Sequence, residues 1–333
     1  MSEEEEHFFA RPHSDIALKA RDIAGLEALG FEASEVLGRG AFALVFGVRD
    51  KRNRSLAVKK VFMPNGVCPK SSVQNFVPPH PNVLRLLDAF EKDENLGNGR
   101  VAYEVYEKFD ISLDQLIRHF RQRKKSFPPR MLHHVTRSLL EGLRHLHGYG
   151  IIHRDLKPSN VLLKFAGEAT EVLRFRDSRA SEVRVVISDL DHAVSDSSPR
   201  STAYVCTRFY RAPELLLGFL GYSCAVDLWA LGCVLAELVR LRPLFSADSG
   251  TAVLGKIILT LGNFHPELVE RYTNEKIPLA QVIEVGSLES KITGADPKIT
   301  ALIKSLLIYD DTKRLSAGDA LCLLEHETPL DKF

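Results

Sequence analysis

No apolar run in this 333-residue chain approaches the ~20 residues that a membrane helix needs. Charge of one sign is missing too. The 44 basic and 43 acidic side chains leave a formal +1, so no whole-molecule field directs the chain to nucleic acid or to an anionic membrane. The five cysteines (Cys68, Cys206, Cys224, Cys233, Cys322) are scattered, odd in number and without C-x-x-C spacing. That pattern speaks against a disulfide framework or a zinc site and for a reducing compartment. The acidic start, Glu3 to Glu6, is the opposite of a secretory or transit peptide. The expectation is a soluble protein of the cytoplasm and/or nucleus, and its 45% hydrophobic composition suffices for a large core divided into two lobes. One local absence weighs more than these. Between Val61 and Phe90 there is no glutamate, and Pro64, Pro69, Pro78, Pro79 and Pro81 leave little room for a full helix. Only Ser71 to Val77 has space for two turns, with Gln74 as its one polar candidate.

The stretch Ile151 to Asn160, I-I-H-R-D-L-K-P-S-N, is what the chain does have in full. Leu139, Leu140, Leu143 and Leu146 lead into it at helical spacing, and Val161-Leu162-Leu163 leads out as a strand. Asp155, Lys157 and Asn160 therefore sit on a short loop between two buried elements, where a scaffold can fix them. A carboxylate, an ammonium and an amide held together suit phosphoryl transfer. Asp155 can accept a hydroxyl proton, Lys157 can neutralise a phosphate oxygen, and Asn160 can ligate a hard cation through its oxygen.

Upstream, residues 1 to about 13 read as a solvated acidic tail. Ile16, Ala20, Ile23 and Leu26 predict a helix from a Ser14 cap to a Gly30 stop, packed on its own domain rather than serving as a docking helix. Leu37-Gly38-Arg39-Gly40-Ala41-Phe42-Ala43-Leu44-Val45 has the form of a glycine loop, in which Gly38 and Gly40 let backbone N–H groups approach phosphate oxygens. A dinucleotide-binding fold expects a helix straight after such glycines. Here Leu44 to Val48 is strand-like, a polar turn follows, and Leu56-Ala57-Val58-Lys59 is a further strand. Lys60 points to the opposite face by alternation.

H-R-D-L-K-P-x-N is the catalytic-loop signature of eukaryotic protein kinases, and from about Phe31 to His326 the chain resembles that family. Further motifs carry the likeness: Ala57-Val58-Lys59, His80-Pro81-Asn82-Val83, Ser188-Asp189-Leu190-Asp191 in the place of D-F-G, Asp227 to Cys233, and Thr202 to Glu214. The last resembles the activation-segment end of the group containing cyclin-dependent and mitogen-activated kinases. T-x-Y before V-x-T-R-x-Y-R-A-P-E favours the mitogen-activated branch. Thr202 also lies at the activating position of the cyclin-dependent branch, and no long tail follows Leu306 to Leu315, which resembles the group's closing motif; the cyclin-binding helix sequence is nevertheless absent, so the branch stays open.

The resemblance implies an α+β, bilobal protein-kinase-like fold. Residues 1–30 would be an N-terminal extension, 31–107 a small β-rich N-lobe and 108–333 a larger helical C-lobe. It implies transfer of the ATP γ-phosphoryl group to serine or threonine hydroxyls of protein substrates, proline-directed through a pocket shaped by Cys206. Control would come from an upstream kinase or a regulatory subunit, with no nucleic acid or membrane partner. Leu37, Gly38, Arg39, Gly40, Ala41, Phe42, Ala43, Val45, Ala57, Lys59 and Leu162 would surround the nucleotide, with Tyr106 behind it and Glu107 to Phe109 as the hinge. Lys59 would reach the α- and β-phosphates, while Asn160 and Asp189 hold Mg2+ and Asp155 orients the hydroxyl. Thr202 and Tyr204 would be activation-segment sites, and Thr207 would bond Lys157. Arg154 would gather a phosphothreonine, Glu214 would pair with Arg314, and Asp227 would tie down the catalytic loop.

Three departures from the pattern stand beside this. The glutamate that should orient Lys59 is absent, Asp191 replaces a glycine and is expected to hold one conformation rather than bind a cation, and Val194 stands where an arginine is usual. They leave a nucleotide-binding scaffold with weak or no transfer as the alternative. The charged segment 164–182 reads as an inserted surface loop, and Arg121, Arg123, Lys124 and Lys125 as a solvated helix end.

Overall fold

The computed structural model describes residues 20–40, 43–63, 77–93, 100–166, 180–198, 202–203, 205–275 and 286–325. The architecture is mixed α+β, with a β-sheet N-terminal region and a helical C-terminal region. Strands β1 (Phe31–Arg39), β2 (Ala43–Asp50), β3 (Ser55–Met63), β4 (Leu86–Asp93) and β5 (Arg100–Glu107) form one antiparallel sheet in the order β1-β2-β3-β5-β4. Two-residue alternation gives the sheet two faces. Phe46, Val48, Val58, Val101, Tyr103 and Val105 make the outer face a small core, closed by Leu26 of helix α1 (Ala20–Glu27). The expected N-terminal helix is thus packed on its own domain over its described part, and Gly30 ends it at φ +82°. Lys60 belongs to the outer face and is buried, with its ammonium 5.4 Å from the Phe62 ring centre and 5.6 Å from that of Tyr103. Val45, Ala57, Lys59, Glu104 and Tyr106 share the other face by register, facing the cleft that Lys59 spans.

The apolar pattern from Val83 to Phe90 predicts a strand over that stretch, but β4 begins only at Leu86. Val83 instead forms a parallel bridge to Ile187 in the second lobe, because the His80-Pro81-Asn82 turn is anchored there. The Asn82 amide donates to Val185 O at 2.9 Å, Ile187 N donates to Asn82 O at 2.8 Å, and Leu84 N donates to Ile187 O at 2.8 Å. Gly142 permits this approach: a Cβ there would stand 2.9 Å from Asn82 O.

After the short strand β6 (Ile111–Ser112), helix α2 (Leu113–Gln122) starts with a reciprocal Ser112/Gln115 cap and ends in the exposed run Arg121 to Lys125, a solvated end as expected. Helix α3 (Pro129–Gly148) delivers the chain to β7 (Ile151–Ile152), and the loop after it leads into β8 (Val161–Phe165) and then β9 (Val183–Ile187). Of the segment 164–182, residues 167–179 lie outside the described residues. Helix α4 (Ala225–Arg240) is apolar on all sides and buried from Val226 to Leu238, which makes it the pillar of the large core.

Candidate active site

Asp227, in the first turn of α4, fixes the loop that follows β7 from below. Its carboxylate accepts from His153 N (2.8 Å), Arg154 N (2.9 Å) and His147 Nε2 (3.0 Å). Burial pushes this carboxyl up, yet the His147 and His153 contacts outweigh it and hold it below the usual carboxylate range. Arg154 takes a left-handed turn (φ +67°), which lifts Asp155 into the cleft. Asp155 accepts four hydrogen bonds on its side chain: from Lys157 Nζ at 2.6 Å, Asn160 Nδ2 at 3.2 Å, Thr207 N at 2.8 Å and Thr207 Oγ1 at 2.7 Å. Burial raises its pKa, but Lys157 and Thr207 prevail and keep it lowered, so it is ionised at neutral pH. The expected Lys157–Thr207 bond is present at 2.9 Å. That Thr207 also grips Asp155 directly is a contact the sequence reading missed.

Asn160 ends the loop. Its amide nitrogen donates to Asp155 O and Oδ2, and its backbone O accepts from both Ser188 N (2.8 Å) and Ser188 Oγ (2.9 Å). Asp189 follows in a left-handed conformation (φ +62°) and opens a 3₁₀ turn, Leu190–His192. Lys59 comes down from β3, its Nζ 2.8 Å from Asp189 Oδ1 and 3.0 Å from Asp191 Oδ1. Burial opposes the charge on Lys59 and the two aspartates more than restore it, so its pKa is raised. Asp189 is correspondingly lowered. Asp191, expected to hold one conformation, has a specific partner here. Its φ is not positive, so the left-handed residue of the motif is Asp189, and Asp191 forms an ion pair with Lys59.

Of the other residues expected around a nucleotide, Leu37, Gly38, Ala43, Val45, Ala57 and Leu162 are half-buried on strands bordering the cleft, and Arg39 and Gly40 are exposed at the loop. Ala41, Phe42, Gln74 and Tyr204 lie outside the described residues. In the hinge, Phe109 is buried beneath the Arg184 guanidinium, and the Glu107 carboxylate binds Lys164 and Arg184. Those contacts commit the Phe109 ring and the Glu107 carboxylate to the protein's own side chains.

A protein-family model described as the protein kinase domain matches residues 31–326. The chain belongs to this family. It is 30% identical over 311 residues to cyclin-dependent kinase B2-2 of Arabidopsis thaliana, covering 90% of this chain and 93% of that one. It is 29% identical to the mitogen-activated protein kinase hog1 of Blastobotrys adeninivorans, covering 89% and 71%. A probable serine/threonine-protein kinase, glkA of Dictyostelium discoideum, is 28% identical, and the match spans 87% of this chain and 57% of that one. The chain is thus a kinase of the cyclin-dependent and mitogen-activated type, and protein kinase domains in general use ATP with Mg2+.

The stretch that ends at Glu214 is anchored at its far end. Glu214 and Arg314 form a fully buried ion pair (2.9 Å), with the guanidinium also donating to Ala225 O and Ile308 O. Tyr210 OH donates to Glu237 of α4 at 2.6 Å. Cys206 has a left-handed backbone (φ +64°), and its carbonyl accepts from Arg211 Nη2 at 3.0 Å. Arg154, expected to be available to a phosphothreonine, is already engaged with His192 O and with Tyr222 OH. The Tyr222 hydroxyl also reaches Thr202 O, at 3.4 Å.

Proposed function

We propose that this kinase transfers the γ-phosphoryl group of ATP to serine or threonine hydroxyls of protein substrates, with a preference for a following proline. One observation carries the reading. An unbroken chain of contacts runs from the roof of the cleft to its floor, through Lys59, Asp189, the adjoining Ser188, Asn160, Asp155, Lys157 and Thr207. Such a constellation can hold a phosphate tail at one end and orient an incoming hydroxyl at the other. Ionised Asp155 is fit to receive the hydroxyl proton, and Lys157 beside it to steady the transferring oxygens.

The residues fit the nucleotide and its cation. Gly38 and Gly40 are not required by the protein's own packing: a Cβ at Gly38 would meet nothing nearer than 4.0 Å, one at Gly40 nothing nearer than 3.7 Å, and neither has a positive φ. Their bareness leaves the loop backbone open to phosphate. Asn160 directs its amide nitrogen to Asp155, which leaves Oδ1, with the Asp189 carboxylate, as the hard oxygen donors that Mg2+ favours. Held there, such a cation would supply positive charge to offset that of the phosphate oxygens.

The proline preference follows from Cys206. Because Arg211 occupies its carbonyl, that oxygen is not presented to the N–H of the residue after the acceptor. Proline has no N–H to leave unsatisfied. The names of the relatives support control by a regulatory subunit or an upstream kinase. Radiolabelled ATP with a generic basic protein tests the reading. The wild type should incorporate label and Asp155→Asn should not. Bound nucleotide without Asp155-dependent incorporation would leave a scaffold instead.

A further inference from the structure

Among the described residues, Lys59 Nζ has two carboxylates within 4 Å, those of Asp189 and Asp191, and they come from one turn. If the cleft works as proposed above, Asp189 has a second claim on it, since its carboxylate is a cation donor and must swing part of its charge away from the lysine. The glutamate that the family pattern supplies for the lysine is not encoded between Val61 and Phe90. We propose that Asp191 is the positioning residue for Lys59: its carboxylate holds the ammonium over the phosphate site and so releases Asp189 to the cation. This inference rests on the phosphotransfer reading for its purpose but not for its geometry.

The turn that carries Asp191 is rigid enough for the task. Leu190 is buried with Val83, Leu146, Ile151 and Ala193, and Ala193 N donates to Leu190 O at 3.0 Å. Immediately after, Val194 and Ser195 pair antiparallel with Ile152 and Ile151, and the Arg154 guanidinium clasps His192 O. Asp191 is therefore held from both sides and braced against the same β7 that launches the catalytic loop. A glycine at 191 would offer no charge, and the backbone there needs none of its freedom, since φ is not positive. The rival carboxylate, Glu104, lies opposite Lys59 across β3 and β5, where it accepts from Tyr106 OH at 2.9 Å. Two departures that look like separate losses in the sequence, a missing glutamate and a replaced glycine, are one exchange in space.

The decisive measurement needs neither cation nor turnover. In the full-length apoprotein labelled with [15N]lysine, the Lys59 ammonium, assigned by Lys59→Arg, should give a protected cross-peak that survives Asp189→Asn and disappears in Asp189→Asn/Asp191→Asn. In the transfer assay Asp191→Asn should lower kcat on the order of 10- to 100-fold, with Asp191→Glu restoring most of it and the Mg2+ requirement unmoved. In a Lys59→Met background the same substitution should cost nothing further, since its route through the lysine is already cut. The idea is overturned if the cross-peak vanishes with Asp189→Asn alone or with Glu104→Gln. It is equally overturned if Asp191→Asn leaves kcat untouched, or raises the Mg2+ requirement as loss of a cation ligand would. A wild type that shows the Asp191-dependent peak without transferring phosphate refutes the proposed function and supports the tie. A wild type that transfers without the peak does the reverse.

Discussion

On the floor of the cleft, Asp155 is held by Lys157, Asn160 and Thr207 and stands on a backbone that Asp227 grips from another helix. On the roof, Lys59 depends on two carboxylates of a single turn. The difference lies in how many separate parts of the chain must agree. Each floor residue shares its partners with the others, Asp155 alone accepting from Lys157, Asn160 and Thr207, so a change at one is felt by all of them. The roof requires only that some carboxylate meet one ammonium, and a carboxylate can arrive from more than one segment. The floor thus matches its motif residue for residue, while the roof tolerates relocation.

The largest expected effect tests the floor alone. Asp155→Asn keeps the shape but cannot take a proton, and should lower kcat on the order of 10² to 10⁴-fold with unchanged affinity for a fluorescent nucleotide. Lys59→Met, on the roof, should lower kcat and weaken nucleotide binding together. If Asp155→Asn lost nucleotide affinity and Lys59→Met did not, the division of labour between floor and roof would be wrong.

Next come the ion pairs. The side chains of Glu214 and Arg314 are 0% exposed, so Arg314→Ala strands a buried carboxylate and should cost about 3–5 kcal/mol in urea unfolding. On the roof side, Lys108 and Glu35 form a partly exposed pair, and Lys108→Ala should cost less than about 1 kcal/mol. Comparable losses would mean that the two lobes are equally braced.

How much of this was legible follows from the same contrast. Asp155, Lys157 and Asn160 lie within six residues of one another, so their chemistry can be read from the string alone. Glu214 and Arg314 are a hundred residues apart, and only a likeness to known chains suggests their meeting. The Asp191–Lys59 pair was invisible because the missing glutamate and the replaced glycine lie far apart along the chain and nothing local joins them. Arg154 has contacts that the string does not announce: a carbonyl and a hydroxyl bind its guanidinium, and neither leaves a mark in the sequence pattern. The first strand after His80 starts late for a similar reason, because Val83 answers to Ile187 rather than to its neighbours.

A smaller effect concerns what the floor accepts. With the Cys206 carbonyl taken by Arg211, a peptide acceptor followed by alanine leaves an N–H unsatisfied at a cost of about 1–3 kcal/mol. kcat/KM for Ser-Pro peptides should therefore exceed that for matched Ser-Ala peptides by on the order of 10- to 100-fold. Equal rates would show that Arg211 leaves that oxygen to the substrate.

The smallest effect separates the lobes by pH. Burial pushes Glu237 up to about 7, even though the Tyr210 hydroxyl donates to it. Between its ordinary value near 4.5 and 7, the folded chain holds a proton there that the unfolded chain has released. Stability from this group is therefore complete below pH 4.5 and is lost as pH rises toward 7. Asp155, Asp189 and Asp227 are shifted down, so their contributions disappear only as pH falls below the ordinary aspartate range, outside this window. Glu237→Gln keeps an acceptor for Tyr210 and carries no charge. Relative to the wild type it should gain on the order of 1–3 kcal/mol between pH 5 and pH 8, read as a rise in Tm of a few degrees. A difference in Tm that does not change across that range would mean that Glu237 stays ionised, with the base of the activation segment as well solvated as the roof.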